Sequence, residues 1–128
     1  MSFGKAKKIF IVDDDPMLTE ALKDYLTRKV AHQVSTFGTG EECLKHLSEE
    51  PEVVVLDYYL NSVQEDAASG MEILQTIKEN FPQVHIIILS GQAHYGVALK
   101  TIQKGAEQYV IKDEEAFEKI ASMIAEMD

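Results

Sequence analysis

Apolar positions along this chain follow two rhythms. Five short runs are dense in aliphatic and β-branched residues: Lys8–Val12, a stretch around His32–Phe37, Val53–Leu56, Val84–Leu89 and Gln108–Ile111. These read as strands. Between them apolar residues recur at helical spacing, as in Met17, Leu18, Ala21, Leu22, Tyr25 and Leu26, and again in Ile73, Leu74, Ile77 and Phe81. A helix through Cys43, Leu44 and Leu47 follows the second strand, and the last helix carries Phe117, Ile120, Ala121 and Ile124. Pro16 suits a first helical position with Asp15 as its N-cap. Pro82 closes the third helix, and Gly105 reads as the C-cap of the fourth. Residues 1–7 are polar and basic and predict a frayed start.

Strand–helix alternation repeated five times implies an α/β fold with a parallel sheet covered on both faces. Strands one, three and four are apolar throughout and belong inside the sheet. Strands two and five are mixed and belong at its edges. Right-handed crossovers then favour the order 2-1-3-4-5, because the dinucleotide-type order would leave the apolar third strand at an edge. No internal repeat, low-complexity tract or linker interrupts the chain, so residues 1–128 read as a single domain.

Composition narrows the partners. With 22 acidic against 12 basic residues the net charge is −10, which opposes binding to a phosphate backbone, so nucleic acid is not an expected direct partner. No apolar run reaches the length of a membrane span and the amino terminus lacks a secretion-signal pattern, so membrane insertion is not expected. The lone Cys43 cannot form an internal disulfide, which fits a reducing cytoplasm, and its place on an apolar helix face reads as packing. The four histidines are scattered and read as surface or packing residues.

The chemistry lies where the apolar strands end. In open α/β sheets, sites form beyond the carboxyl ends of the strands, at the point where the strand order reverses. Here that point falls between strands one and three, which places Asp13 and Asp14 beside Asp57. Taken alone, Asp57 would only open a turn; the matching residues at other strand ends change that reading. Carboxylates about 6 Å apart at an effective dielectric of about 20 repel by roughly 3 kcal/mol per pair. Protons or a bound cation must offset this. Oxygen-only ligands in a shallow site suit Mg²⁺ better than Ca²⁺. Lys112 ends strand five and supplies a positive charge without completing a metal site, and Ser90 ends strand four beside Gly91. A carboxylate nucleophile, a hard cation, an ammonium and a hydroxyl together suit phosphoryl transfer.

Asp13-Asp14 after strand one, Asp57 after Val53-Val54-Val55-Leu56, Ser90-Gly91 after Ile86-Ile87-Ile88-Leu89, and Gly105-Ala106 with Tyr109-Val110-Ile111-Lys112 resemble the CheY-like receiver domain of bacterial two-component response regulators. The resemblance covers essentially the whole chain and implies a flavodoxin-like (βα)5 receiver fold. It implies that Asp57 accepts the phosphoryl group, that Asp13 and Asp14 with the Tyr59 backbone carbonyl and Asp57 bind Mg²⁺, and that Lys112 pairs with the acyl phosphate. Ser90 would be the switch hydroxyl and Tyr109 the aromatic that turns inward with it. Tyr59 and Gln92 match positions that shape phosphoryl lifetime. The implied donor is a sensor histidine kinase or histidine phosphotransfer protein. The implied recipient is a downstream protein target or a fused output domain, reached through the face formed by helix four, strand five and helix five.

The sequence departs from the family pattern at three places. Asn61 stands where proline is common, the loop Ser62 to Ser69 is longer than usual, and Asp113 replaces the proline after the lysine, which brings a carboxylate close to Lys112 and makes the customary cis peptide doubtful. Those departures keep open a receiver-like docking domain that acts without phosphorylation. A Mg²⁺-dependent phosphohydrolase is a third class, opposed by Asp57-Tyr58-Tyr59, which lacks the D-x-D motif of aspartate-dependent phosphatases.

Overall fold

A computed structural model describes residues 4–60 and 68–127. Asn61 and most of the long loop after it lie outside the described residues. Five strands, β1 (Lys8–Val12), β2 (Gln33–Phe37), β3 (Val53–Asp57), β4 (His85–Ser90) and β5 (Gln108–Ile111), form one parallel sheet in the order β2-β1-β3-β4-β5. Helices α1 (Pro16–Leu26), α2 (Gly40–Lys45), α3 (Gly70–Asn80) and α4 (Tyr95–Gln103) lie in the four crossovers, and α5 (Ala116–Glu126) follows β5.

The unbroken apolar runs are explained by burial on both faces. Successive side chains of a strand point to opposite sides. Ile9, Ile11, Val53, Val55, Ile87 and Leu89 therefore meet Leu22 and Leu26 of α1 and Ile120 and Ile124 of α5. The alternate residues Phe10, Val12, Val54, Leu56, Ile86 and Ile88 meet Cys43, Ile73, Leu74 and Ile77 on the other side. Each such aliphatic side chain contributes about 1.5–3 kcal/mol on full burial. Helix α4 behaves differently: Thr101 is its buried residue, while Tyr95, Leu99 and Ile102 are exposed at helical spacing.

Local signals set most of the element ends. Asp15 caps α1 by accepting from the backbone N–H groups of Met17 and Leu18, with Pro16 at the first helical position. Ser69 and Glu72 form a reciprocal capping box at the start of α3. Several boundaries differ from the sequence expectation; β3 and β4 each run one residue further, to Asp57 and Ser90. Strand β4 begins at His85 rather than Val84, because the Val84 N–H is spent on the Phe81 carbonyl while that of His85 joins Glu52. Helix α2 ends at Lys45, and Leu47 belongs to a short 3-10 turn, Leu47–Glu49. Lys104, not Gly105, caps α4; Gly105 follows with φ +112°, where a Cβ would meet the Lys78 side chain at 2.9 Å. Finally, fraying does not extend to residue 7. Lys7 is buried, its N–H donates to His32 Nδ1 and its carbonyl accepts from the Gln33 N–H.

Candidate functional site

Backbone pairing carries the sheet's order just past its carboxyl edge. The Asp13 N–H donates to the Phe37 carbonyl (3.1 Å), that of Tyr58 to Leu89 (3.1 Å) and that of Lys112 to Ser90 (2.7 Å). The residues expected to do chemistry thus stand on positions fixed by the strand ladders rather than on free loops. Asp13, Asp14 and Asp57 come together: one carboxylate oxygen of each lies within 4.8 Å of the others. Asp13 and Asp57 are 2% and 4% exposed, so their charges are shielded from water, while Asp14 is half-buried at the rim.

Lys112 joins this group with its ammonium 2.9 Å from Asp13 Oδ2 and 3.6 Å from Asp57 Oδ1. Asp13 Oδ1 accepts from the Asp15 N–H at 2.9 Å. Its Oδ2 meets the Lys112 ammonium in that close ion pair. Asp57 Oδ1 accepts from the Tyr59 N–H at 3.2 Å. Burial first, and then the charge of Asp13, push the Asp57 carboxyl up from 3.8 to about 6; Lys112 and the Tyr59 N–H act against that rise, and Asp14 adds to it. Burial alone would lower the Lys112 ammonium, but Asp13 and Asp57 outweigh it and hold that group above its ordinary range. An internal cation, the Lys112 ammonium, therefore offsets part of the repulsion among the crowded carboxylates.

Ser90 is fully buried at the end of β4, one residue beyond Leu89, the register partner of Asp57. Its Oγ accepts from the Gln92 N–H (3.2 Å) and donates to the Gln92 carbonyl (3.4 Å). The Tyr109 hydroxyl, from β5, donates to that same carbonyl at 2.8 Å. Burial raises the Tyr109 phenol, the Ser90 hydroxyl opposes this, and Tyr59 and Tyr58 add to the rise. Asp113, beside Lys112 in sequence, is not its partner; its Oδ1 accepts from the Glu115 N–H at 2.9 Å, opening α5. No peptide bond among the described residues is cis.

Gly70 went unrecognised in the sequence as part of the site. A Cβ there would lie 2.5 Å from the Asp57 carbonyl oxygen and 2.6 Å from the Tyr58 Cα, and its N–H donates to the Tyr58 carbonyl at 3.0 Å. Only a glycine lets α3 start that close to the end of β3. Glycine at the head of a capping box, Ser69-Gly70-Met71-Glu72, was the available signal.

The donor set fits a hard cation. It is oxygen only, it is concentrated, and Asp13 Oδ2 lacks a hydrogen-bond partner. No histidine or cysteine belongs to the cluster. Cys43 is buried with its thiol pushed up to about 12 by desolvation. His46 and His85 pair with Glu49 and Glu107, and His94 with the Gln92 side chain. Among the described residues no helix is long and apolar enough to cross a membrane.

Comparison with known proteins agrees with this geometry. Residues 9–125 match the family described as "Response regulator receiver domain". The chain is 33% identical over 110 residues to "Probable C4-dicarboxylate response regulator DctR" of Bacillus subtilis (strain 168), covering 84% of this chain and 46% of that protein. It is 28% identical over 120 residues to "Transcriptional regulatory protein MalR" of the same organism, covering 92% of this chain and 48% of the relative. The chain thus spans less than half the length of these curated relatives. Among solved structures, the BeF3-activated receiver domain of DrrB, a Thermotoga maritima protein, is 33% identical with a TM-score of 0.80, covering 93% of this chain and 94% of the other. The sheet order, the acidic cluster at the switch point and the match over residues 9–125 lead to one conclusion: the chain belongs to the response regulator receiver domain family.

Proposed function

We propose that this domain is a phosphoacceptor switch. A carboxylate oxygen of Asp57 attacks the phosphorus of a phosphohistidine presented by a sensor histidine kinase or a phosphotransfer protein. The P–N bond breaks, its electron pair stays on the imidazole, and Asp57 becomes an acyl phosphate. The observation that carries this reading is the convergence of three carboxylates and one ammonium at the sheet's switch point.

Asp13, Asp14, Asp57 and the Tyr59 carbonyl would hold Mg²⁺, which supplies neutralisation of charge on the phosphoryl oxygens. Lys112 takes a second share of that charge. The phosphoryl group carries nearly two negative charges and draws the Ser90 hydroxyl away from Gln92. Tyr109, tied to the same Gln92 carbonyl, follows. A minor arrangement of the segment between β4 and α4 becomes the major one, and the α4–β5–α5 face changes. The relatives named as transcriptional regulators support an output region fused beyond a receiver; a separate protein target is the other recipient compatible with this chemistry. The domain catalyses its own phosphorylation and dephosphorylation only, and its place of action is the cytoplasm.

The exposed Tyr95, Leu99 and Ile102 of α4 favour one second reading, docking without phosphorylation. Incubation with Mg²⁺ and acetyl phosphate separates the two. A hydroxylamine-labile adduct on Asp57, absent from Asp57→Asn, supports the switch. No adduct supports docking, and rapid multiple turnover would point to a hydrolase instead.

A further inference from the structure

We infer that the groove between the end of α1 and the flank of α5 is a binding site separate from the acidic hollow, and that it takes a small anion carried on an apolar or aromatic body. The groove lies toward the amino end of the parallel sheet, away from Asp57, since His32 immediately precedes β2 and Ala125 stands in the last turn of α5. The inference stands apart from the phosphoacceptor reading and does not depend on it.

The space is about 520 Å³, within the range of small-ligand sites. Leu26 with Ala121 and Ala125 gives it apolar walls, and the two alanines are what leave room between neighbouring helices. Tyr25 adds an aromatic ring fixed against Phe117, with ring centroids 5.8 Å apart.

Charge selects the ligand. Arg28, Lys29 and His32 line this groove in a chain whose net charge is −10. The Arg28 guanidinium stands 5.3 Å from the Tyr25 ring centroid, and its Nη2 is 3.0 Å from Asp24. That exposed pair contributes little and leaves other donors of the guanidinium free of it. His32 is fixed in one tautomer. Its Nδ1 accepts from the Lys7 N–H at 2.9 Å, so the neutral ring carries its proton on Nε2, as a donor. Burial first, and then the charge of Lys7, hold that ring below its ordinary 6.5. Lys7 itself is 4% exposed; its ammonium donates to the Lys5 carbonyl at 3.3 Å and joins no ion pair among the described residues. A buried cation without a counter-ion is costly, and an anion bound nearby lowers that cost. Glu118 also lines the groove, about 10 Å along α5 from Ala125, and opposes an anion there. The anionic group therefore belongs at the end where His32 and Ala125 meet the groove.

The test is an NMR titration of the whole chain with benzoate and with phenylphosphonate, which holds no transferable phosphoryl group, against uncharged benzamide. The amides of Tyr25, His32 and Ala125 should shift along one saturation curve, with a dissociation constant of about 1 mM. Benzoate alone would assign the site to carboxylates and phenylphosphonate alone to phosphoryl-type anions; either supports the inference. Benzamide should bind about tenfold more weakly. Two substitutions of exposed side chains should act with opposite signs: Arg28→Gln weakens anion binding about threefold and Glu118→Gln tightens it about threefold. No saturable shift with either anion, equal binding of benzamide, or shifts centred on Ser90 and Lys112 overturns the inference. Affinity unchanged in both variants overturns it as well.

Discussion

The Tyr109 hydroxyl donates to the Gln92 carbonyl at 2.8 Å, and Ser90 bonds both the N–H and the carbonyl of that same residue. One backbone unit thus holds an aromatic from β5 and a hydroxyl from β4 in a single arrangement. Tyr109→Phe removes one of these bonds and keeps the ring. The expected loss of stability is about 0.5–1.5 kcal/mol by denaturant unfolding. Hydrogen exchange at the Gln92 amide should quicken at the same time. An unchanged Gln92 exchange rate would mean that Tyr109 does not restrain the Ser90 turn.

Asp57→Asn probes the cost of crowding. With its carboxyl held near 6 in the folded chain against an ordinary 3.8, Asp57 binds a proton more readily folded than unfolded. Below both values it carries no penalty. Between them the unfolded chain ionises first, so this group makes stability fall as pH rises, and above about 6 the full penalty of about 3 kcal/mol remains. The asparagine variant, without added metal, should be more stable than the native chain at pH 7 by about 1–3 kcal/mol. Its advantage should vanish by pH 3.5. A variant less stable at pH 7 would show that Lys112 more than offsets the repulsion.

Gly70→Ala should be severely destabilising. The added carbon would overlap the Asp57 carbonyl and the Tyr58 backbone, which cannot rotate away as a side chain would. A loss of about 2–4 kcal/mol is expected, read from thermal or urea unfolding. Whatever folds should also take up less phosphoryl group from acetyl phosphate, because β3 and α3 can no longer approach each other at Asp57. Native-like stability would refute the close approach.

Cys43 offers an independent check of the core. Its thiol is fully buried and pushed up to about 12, so it stays protonated and unreachable at pH 8. A thiol-specific chromogenic reagent should react negligibly with the native chain and to completion in concentrated urea. Rapid reaction without denaturant would place α2 away from β1 and β3.

Much of this was legible in the residues. The two-sided burial of β1, β3 and β4 is written in their unbroken aliphatic runs, and the mixed β2 and β5 lie at the edges as their composition requires. Asp13, Asp14 and Asp57 followed from where those runs stop. Lys112 was placed at the right end of the right strand, yet its preference for Asp13 over Asp57 depends on side-chain reach of under an ångström, which no spacing encodes. Asp113 shows the reverse limit: adjacency in sequence brings a carboxylate close to Lys112, but the start of α5 claims it. The beginning of β4 shifted by one residue because Val84, apolar like its neighbours, spends its N–H on a turn.

The alternation of β3 between two helical layers has a consequence for what this chain can tolerate. Val53 and Val55 face α1 and α5, Val54 and Leu56 face α2 and α3, and Asp57 has the parity of the first pair. Removing a single residue between Glu52 and Asp57 would exchange the layers and turn the acid toward the wrong helices. Removing two would restore the direction but draw the acid back from the rim. A change of length after Asp57 lies outside that count and leaves the alternation of β3 intact, whereas one before it does not.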